Sequence, residues 1–334
     1  MTFMIVSENE KLAKPHIETS YRRVRRDSCP LCKSHNVSHK FRMFDDRYGM
    51  PDDFDVMHCS NCGAFYLFEY LAEDCLPSLY RHYYAVESGQ VKLRATGLMS
   101  RIRQVVRSTK LWSFIMGGVD LSAYINSGEA VLDVGCGFGS NIVPVRYRGA
   151  SWVGIDVDQK VCSALHKAGE ECFCGSLEEF SIINKQKFDV IIMSQIIEHV
   201  VDPIALINSA RKLLSPTGRI LVSCPNGASR YIEKYSQKWL HWHVPYHTIQ
   251  FTPKALAEVA CQAELKLEWC RAFTPPSWYL AQCRIRQVRR GDVNSFFGVK
   301  SEPLRWLLLT PLLRLFDYFH PGSGDALVAS FRKQ

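Results

Sequence analysis

Short, β-branched apolar runs recur through the second half of the chain: VLDVG (131–135), WVGIDVD (152–158), FDVIIMSQ (188–195) and RILVSCP (219–225). Each is of strand length, and segments of helical length separate them. That alternation is the pattern of a parallel sheet covered on both faces. ECFCG (171–175), KLEWCRAF (266–273) and DALVASFRK (325–333) read as three further strands, which makes seven. PKALAEVACQAEL (253–265) reads as a helix opening on proline. The first third has a different texture. Residues 1–24 are polar and read as a weakly anchored tail. Residues 25–85 carry paired cysteines and end in the aromatic cluster YRHYY (80–84), expected to pack back on its own module. Residues 86–125 show helical spacing with scattered arginine and read as a connector. The expected class is α/β: a seven-stranded sheet domain over 126–334, with insertions at 227–252 and 274–323, behind a small cysteine module.

Composition changes this picture little. The 334 residues are 47% hydrophobic and 22% charged, as in ordinary globular chains, and long enough for two units. A formal charge of +8 permits a polyanionic partner without choosing among nucleic acid, an anionic membrane and a phosphorylated substrate. There are 13 cysteines, an odd number, and MTFMIVSENEKLAK at the start lacks the apolar core of a signal sequence. A disulfide framework is therefore not expected, and the reducing cytoplasm is. The longest apolar stretch, WLLLTPLLRLF (306–316), is interrupted by Pro311 and Arg314 and is shorter than the ~20 residues that span a bilayer.

Two Cys-x-x-Cys knuckles, Cys29/Cys32 and Cys59/Cys62, stand 26 residues apart. Together they can supply four thiolates to one tetrahedral Zn²⁺, and Gly63 suits the knuckle turn. Four protein ligands leave no open position, so the expected zinc is structural and holds a core-poor segment folded. The other nine cysteines are expected to be small core residues.

After the first strand comes DVGCGFGS, in which Gly135, Gly137 and Gly139 form G-x-G-x-G. Glycines there allow a tight strand-to-helix turn and a close backbone approach to a ligand. Ser140 stands where the dinucleotide fingerprint G-x-G-x-x-G would place glycine or alanine. Asp133 lies inside the first strand, and Asp156 ends the second, placed to accept from ribose hydroxyls. This set, with FDVIIMSQIIEHVVDP behind it, resembles the class I S-adenosylmethionine-dependent methyltransferases. The resemblance covers about 126–334 and implies a Rossmann-like sheet whose last strand is antiparallel. It implies that the methionine end of S-adenosylmethionine lies over Gly135–Gly139, with Asp133 by its amino group. It also implies Asp156 and Val157 at the ribose side, Ser176 and Leu177 by the adenine, and Ser194 and Gln195 beside the sulfonium.

Glu198 and His199 follow strand four, on the side where open parallel sheets bind ligands. Beyond strand five, Pro225-Asn226, Trp239, Pro245-x-His247 and Phe251 resemble a methyltransferase subgroup common in sugar, glycan and lipid-like pathways. The stretch from CPLC to YRHYY resembles the zinc-ribbon-like N-terminus of the same subgroup. The resemblance implies a lid over the cleft and a small-molecule or glycan acceptor. A hydroxyl acceptor needs a base; His247, His243, His199 and Glu198 are the candidates, His247 first. His241, His243 and His247 have no acid near them in sequence, so metal is not expected there. Trp239, Trp242 and Tyr246 are expected to form the lid's core rather than a sugar platform.

YRRVRR (21–26), RIRQVVR (101–107) and RIRQVRR (284–290) read first as solvated faces, with phosphate contact as the sharper alternative. LRWLLLTPLLRLFDYF (304–319) is expected to pack on its own sheet or in a homodimer contact, with peripheral membrane contact as the alternative. An RNA methyltransferase with a zinc ribbon is the second functional class, but SQIIEH is not the Asn/Asp-Pro-Pro-aromatic type of many base methylases. Nucleic acid is therefore not the expected partner. A sugar C-methyltransferase and a binding protein with a retired site complete the alternatives.

Overall fold

The computed structural model describes residues 21–83, 119–284 and 303–334, with positions 106, 109 and 112. Most of the expected tail and connector, RIRQVVR (101–107) apart from Val106, and RIRQVRR (284–290) after Arg284 lie outside the described residues.

The N-terminal module comprises β1 (Arg23–Arg25), β2 (Val37–Phe44), β3 (Asp53–Cys59), β4 (Phe65–Leu67), β5 (Glu69–Leu71) and α1 (Leu76–His82). The sheet domain begins with β6 (Ala130–Val134), α2 (Ile142–Tyr147), β7 (Ser151–Asp156), α3 (Gln159–Lys167), β8 (Cys172–Cys174) and α4 (Leu177–Ile183). It continues with β9 (Phe188–Ser194), α5 (Pro203–Leu213), β10 (Leu214–Pro225), α6 (Arg230–Tyr235), β11 (Ile249–Gln250) and α7 (Pro253–Gln262). It closes with β12 (Leu265–Phe273), α8 (Pro276–Arg284), α9 (Pro303–Phe319) and β13 (Ala326–Lys333).

All seven expected strands form one sheet in the order β12-β13-β10-β9-β6-β7-β8. β13 runs antiparallel to both neighbours, while β6, β7, β8, β9 and β10 are mutually parallel. The continuous apolar runs are explained by burial on both faces: Val190, Ile191, Ile192 and Met193 of β9 have no exposed surface. Short polar side chains start the helices. Asp158, Ser176, Asp202 and Thr252 each accept a first-turn amide of α3, α4, α5 and α7. Pro203 and Pro253 follow two of these caps, where a missing N–H costs nothing.

The cysteine module and the lid are one structure. β2, β3 and β4 form an antiparallel sheet whose fourth strand, β11, comes from the expected lid. Trp239, Trp242 and Tyr246 are buried in a core shared with Phe54, Phe65 and Leu67 of the module. At the knuckles, Thr252 donates its hydroxyl to the Cys62 carbonyl at 2.7 Å, and Gln262 of α7 reaches the Leu31 carbonyl. The insertion is therefore not a free flap. It is stitched to the module on one side and to the sheet domain on the other.

YRRVRR is solvated only in part: Arg22 and Arg25 are exposed, and Arg26 is buried. β1 pairs with β5, so the chain is anchored from Arg23 onward. Arg23 pairs with Asp52 and Glu69, and Arg22 with Asp74. Arg26 is buried, lies over the Tyr70 ring, and donates to the carbonyls of Leu67 and Val201. It ties the module to the loop after β9. Of the nine cysteines expected in the core, Cys136, Cys162, Cys172 and Cys224 are buried, but Cys261 and Cys283 are exposed. Among the described residues, no helix is long and apolar enough to cross a membrane.

Candidate active site

β6 lies between β9 and β7, and the carboxyl ends of these three parallel strands stand side by side, the place where open parallel sheets bind ligands. Gly135 turns the chain there at φ +65°, and a Cβ on it would stand 2.1 Å from Ile196. Gly137, at φ +52°, has open space where its Cβ would be. The first glycine is thus required by packing, the second leaves room for a ligand. Asp133 is buried beneath the loop and accepts from the Trp152 indole at 3.1 Å and from the Asn141 amide at 3.1 and 3.2 Å. Burial pushes its carboxyl up to about 6, against those two hydrogen bonds. Asp156 accepts from the Gly137 amide at 2.8 Å and the Asp158 amide at 2.9 Å. The acid therefore holds the glycine loop.

The remaining cofactor candidates fall differently. Val157 is 78% exposed beside Asp156, an apolar surface at the lip. Ser176 closes a capping box with Glu179, and Leu177 is buried in the core. Ser194 ends β9 in register with Ser223. Gln195 takes φ +58°, and its amide N–H and side chain both donate to Ser223. Ser176, Leu177 and Gln195 are thus committed to local structure, as is the buried Asp133, while Gly135, Gly137, Asp156 and Val157 keep exposed surface at the carboxyl ends of β6 and β7.

Glu198 is fully buried, and neither carboxyl oxygen has a hydrogen-bond partner among the described residues. Burial pushes this carboxyl up to about 8. Its own carbonyl accepts the Thr248 amide at 2.8 Å, so the strand that docks the lid also closes over it. His199 is half-buried beside it and is pushed down to about 4 by desolvation. Its Nδ1 lies 3.3 Å from the Tyr80 hydroxyl of α1. His247 stands edge-on to His199, ring centres 4.5 Å apart. The His247 Nδ1 lies 2.8 Å from the His241 carbonyl, which can only accept, so Nδ1 carries the proton and Nε2 faces His243 Nδ1 at 3.4 Å. Burial drives His243 and His247 well below the ordinary imidazole value, helped by the Arg47 charge. Donor atoms of Glu198, His199 and His247 all lie within 4.8 Å of one another. The acid missing near the lid histidines in sequence is supplied by the β9 loop, and these three residues also have the donor set of a cation site.

His241 lies behind this cluster, 3.3 Å from Asp325. Asp325 also receives the Trp239 indole and the Ser229 hydroxyl, both at 2.8 Å. It is a buried anchor from β13 to the lid. Tyr80, Trp152, Asn141 and Asp325 carry no motif signal in the sequence. Tyr80 lies in a segment read as packing, and Trp152 and Asp325 open runs read only as strands.

The four knuckle cysteines converge on one point. Cys29 and Cys62 sulfurs are 3.6 Å apart, Cys32 and Cys59 3.5 Å, and all four lie within 4.8 Å of one another. A zinc tetrahedron with bonds of ~2.3 Å has sulfur–sulfur edges of about 3.8 Å. The donor set therefore fits Zn²⁺. The hydrogen bond shared with Cys62 draws the Cys29 thiol down, against burial.

A family described as Methyltransferase domain matches residues 113–268. The chain is 31% identical over 205 residues to the ubiquinone biosynthesis O-methyltransferase of Neisseria meningitidis serogroup A, spanning 56% of this chain and 81% of that protein. It is 27% identical over 193 residues to the enzyme of the same name from Thiobacillus denitrificans, spanning 53% of this chain and 80% of that one. Both relatives are named for ubiquinone and not for a sugar. Among solved structures it is similar to a SAM-dependent methyltransferase from Archaeoglobus fulgidus, with 13% identity, a TM-score of 0.45, and coverage of 71% of this chain and 100% of that one. The sheet order, the glycine turn and the extent of the Neisseria match agree: this chain belongs to the class I S-adenosylmethionine-dependent methyltransferases.

Proposed function

We propose that the chain transfers the methyl group of S-adenosylmethionine to a hydroxyl oxygen of a small-molecule acceptor. Asp133, Gly135–Gly139, Asp156 and Val157 hold the cofactor, and the four cysteines hold one structural Zn²⁺. The observation that carries this reading is the convergence of Glu198, His199 and His247 beside the crevice. The printed names of the relatives support oxygen as the acceptor atom.

The chemistry follows from charge. The acceptor oxygen attacks the methyl carbon in line, the carbon–sulfur bond breaks, and its electron pair stays on sulfur. The hydroxyl proton goes to His199, the less buried of the two imidazoles beside Glu198. A cationic sulfonium in the crevice favours ionisation of Glu198. The cation moves from sulfur to imidazole, so a Glu198 carboxylate beside His199 stabilises the product side. The lid excludes water from this exchange.

His199→Asn is expected to lower kcat by about 100-fold, the usual contribution of a general base, with affinity for S-adenosylhomocysteine unchanged. The measurement is methyl-ether formation on a panel of phenolic and glycan hydroxyls, the glycan arm testing the sugar-type acceptor. Methylation at nitrogen or carbon, or full activity in the variant, contradicts the proposal. The same residues favour a second reading, in which a divalent cation on Glu198, His199 and His247 lowers the acceptor's pKa. Loss of activity on chelation, restored by a divalent ion while the zinc stays bound, would select it.

A further inference from the structure

α9 is built inside out. Thr310 and Leu313 are buried, and the side chains of Arg314 and Asp317 are only 12% and 7% exposed. Arg314 pairs with Asp317 at 3.1 Å and also reaches the Thr274 carbonyl, and Asp317 accepts the Thr274 amide and hydroxyl, each at 2.8 Å. Leu304, Leu308, Leu312, Leu315, Phe316 and Phe319 face outward, each more than half exposed. A soluble helix places these two sets the other way round. Such a patch on a soluble chain marks an interaction surface.

Two observations choose its occupant. The first is charge: in sequence, Arg284, Arg286, Arg289 and Arg290 precede the helix closely, and Arg305 lies in its first turn, while residues 284–305 contain two acids, Asp292 and Glu302. An apolar helix preceded in the sequence by a run of cations suits an anionic lipid surface. The second is position. Asp317 meets Arg230 of α6 at 3.3 Å, and Asn226, just past β10, donates to the carbonyls of Gly322 and Gly324. The helix therefore stands beside the lid, on the side of the sheet that carries the crevice.

We propose that α9 docks the protein on an anionic bilayer, its leucines and phenylalanines entering the interface without spanning it. The inference rests on the exposed face and the flanking charge, and it survives or fails independently of the acceptor reaction. The test is co-sedimentation of the full chain with vesicles of phosphatidylcholine alone and of phosphatidylcholine with one-third phosphatidylglycerol. Binding is expected to the anionic vesicles, at least about tenfold weaker to the neutral ones. The triple variant Leu308→Gln, Leu312→Gln, Phe316→Gln is expected to lose binding about tenfold or more while binding S-adenosylhomocysteine normally, which shows that it is folded. No binding to either vesicle, equal binding to both, or a wild-type dimer that the triple variant turns into a monomer would overturn the proposal.

Discussion

Replacing Cys59 and Cys62 together by serine is expected to release the zinc and reduce methyl transfer by about 100-fold or more, the cost of an acceptor site displaced by an ångström or so. Affinity for S-adenosylhomocysteine should change far less. The two effects separate because the module is the roof and not the cofactor floor. Structural zinc binding is itself folding free energy, on the order of 10 kcal/mol, so two lost ligands unfold the knuckles. The Cys62 carbonyl then no longer receives Thr252, the residue that caps α7. β11 loses its partner β4, and Thr248, next to β11, holds the backbone over Glu198. The glycine loop, by contrast, is held by Asp156, and Asp133 by Trp152 and Asn141, all within the sheet domain. Metal analysis, calorimetry and turnover on one preparation test this; normal turnover in a zinc-free double variant would contradict it.

Glu198→Gln is expected to stabilise the protein at alkaline pH while lowering kcat by about 100-fold. The carboxyl is buried without a hydrogen-bond partner, and its folded value of about 8 lies far above the ordinary 4.5. Below pH 4.5 both folded and unfolded states hold the proton, and no stability is lost. As pH rises from 4.5 to 8, the unfolded chain gives up its proton and the folded one keeps it. Stability falls by up to about 1.4 kcal/mol per pH unit over that window and then levels off. Glutamine has no such loss, so the variant's advantage in denaturant midpoint should grow between pH 5 and 8. A variant less stable than wild type at pH 8 would show that the carboxyl has a partner worth more than its desolvation. The same carboxyl makes a second signature. At pH 7, S-adenosylmethionine should release a proton on binding and S-adenosylhomocysteine should not, a difference that Glu198→Gln removes.

The sheet was legible in the sequence because both faces of its strands are buried, which writes each strand as an unbroken apolar run. FDVIIMSQ and VLDVG needed nothing from the rest of the chain. The knuckles were legible because zinc demands a spacing. The glycine loop was legible because the turn at Gly135 leaves no room for a side chain. The acceptor side was less so. A two-residue strand such as β11 has no periodicity, and its partner β4 lies almost two hundred residues away. The burial of Glu198 comes from Thr248 and Ile249 docking on its backbone, so nothing local distinguishes it from a loop acid. Tyr80 reaches His199 only because α1 packs at the lid. Arg26 sits in a basic run that looks solvated, and only the fold shows it buried among carbonyls. The apolar content of α9 left sheet packing, a dimer contact and a membrane contact open, and the structure turns much of that face outward.

The central claim is that the crevice over Gly135–Gly139, closed on one side by Asp156, is where the cofactor binds. Titration calorimetry with S-adenosylhomocysteine on wild type and Asp156→Asn tests it most directly. Lost charge-assisted hydrogen bonds to a ribose should weaken binding by about 10- to 100-fold, with the melting temperature little changed. Equal affinity in both proteins would mean that the cofactor lies elsewhere and that Asp156 serves only to hold the loop.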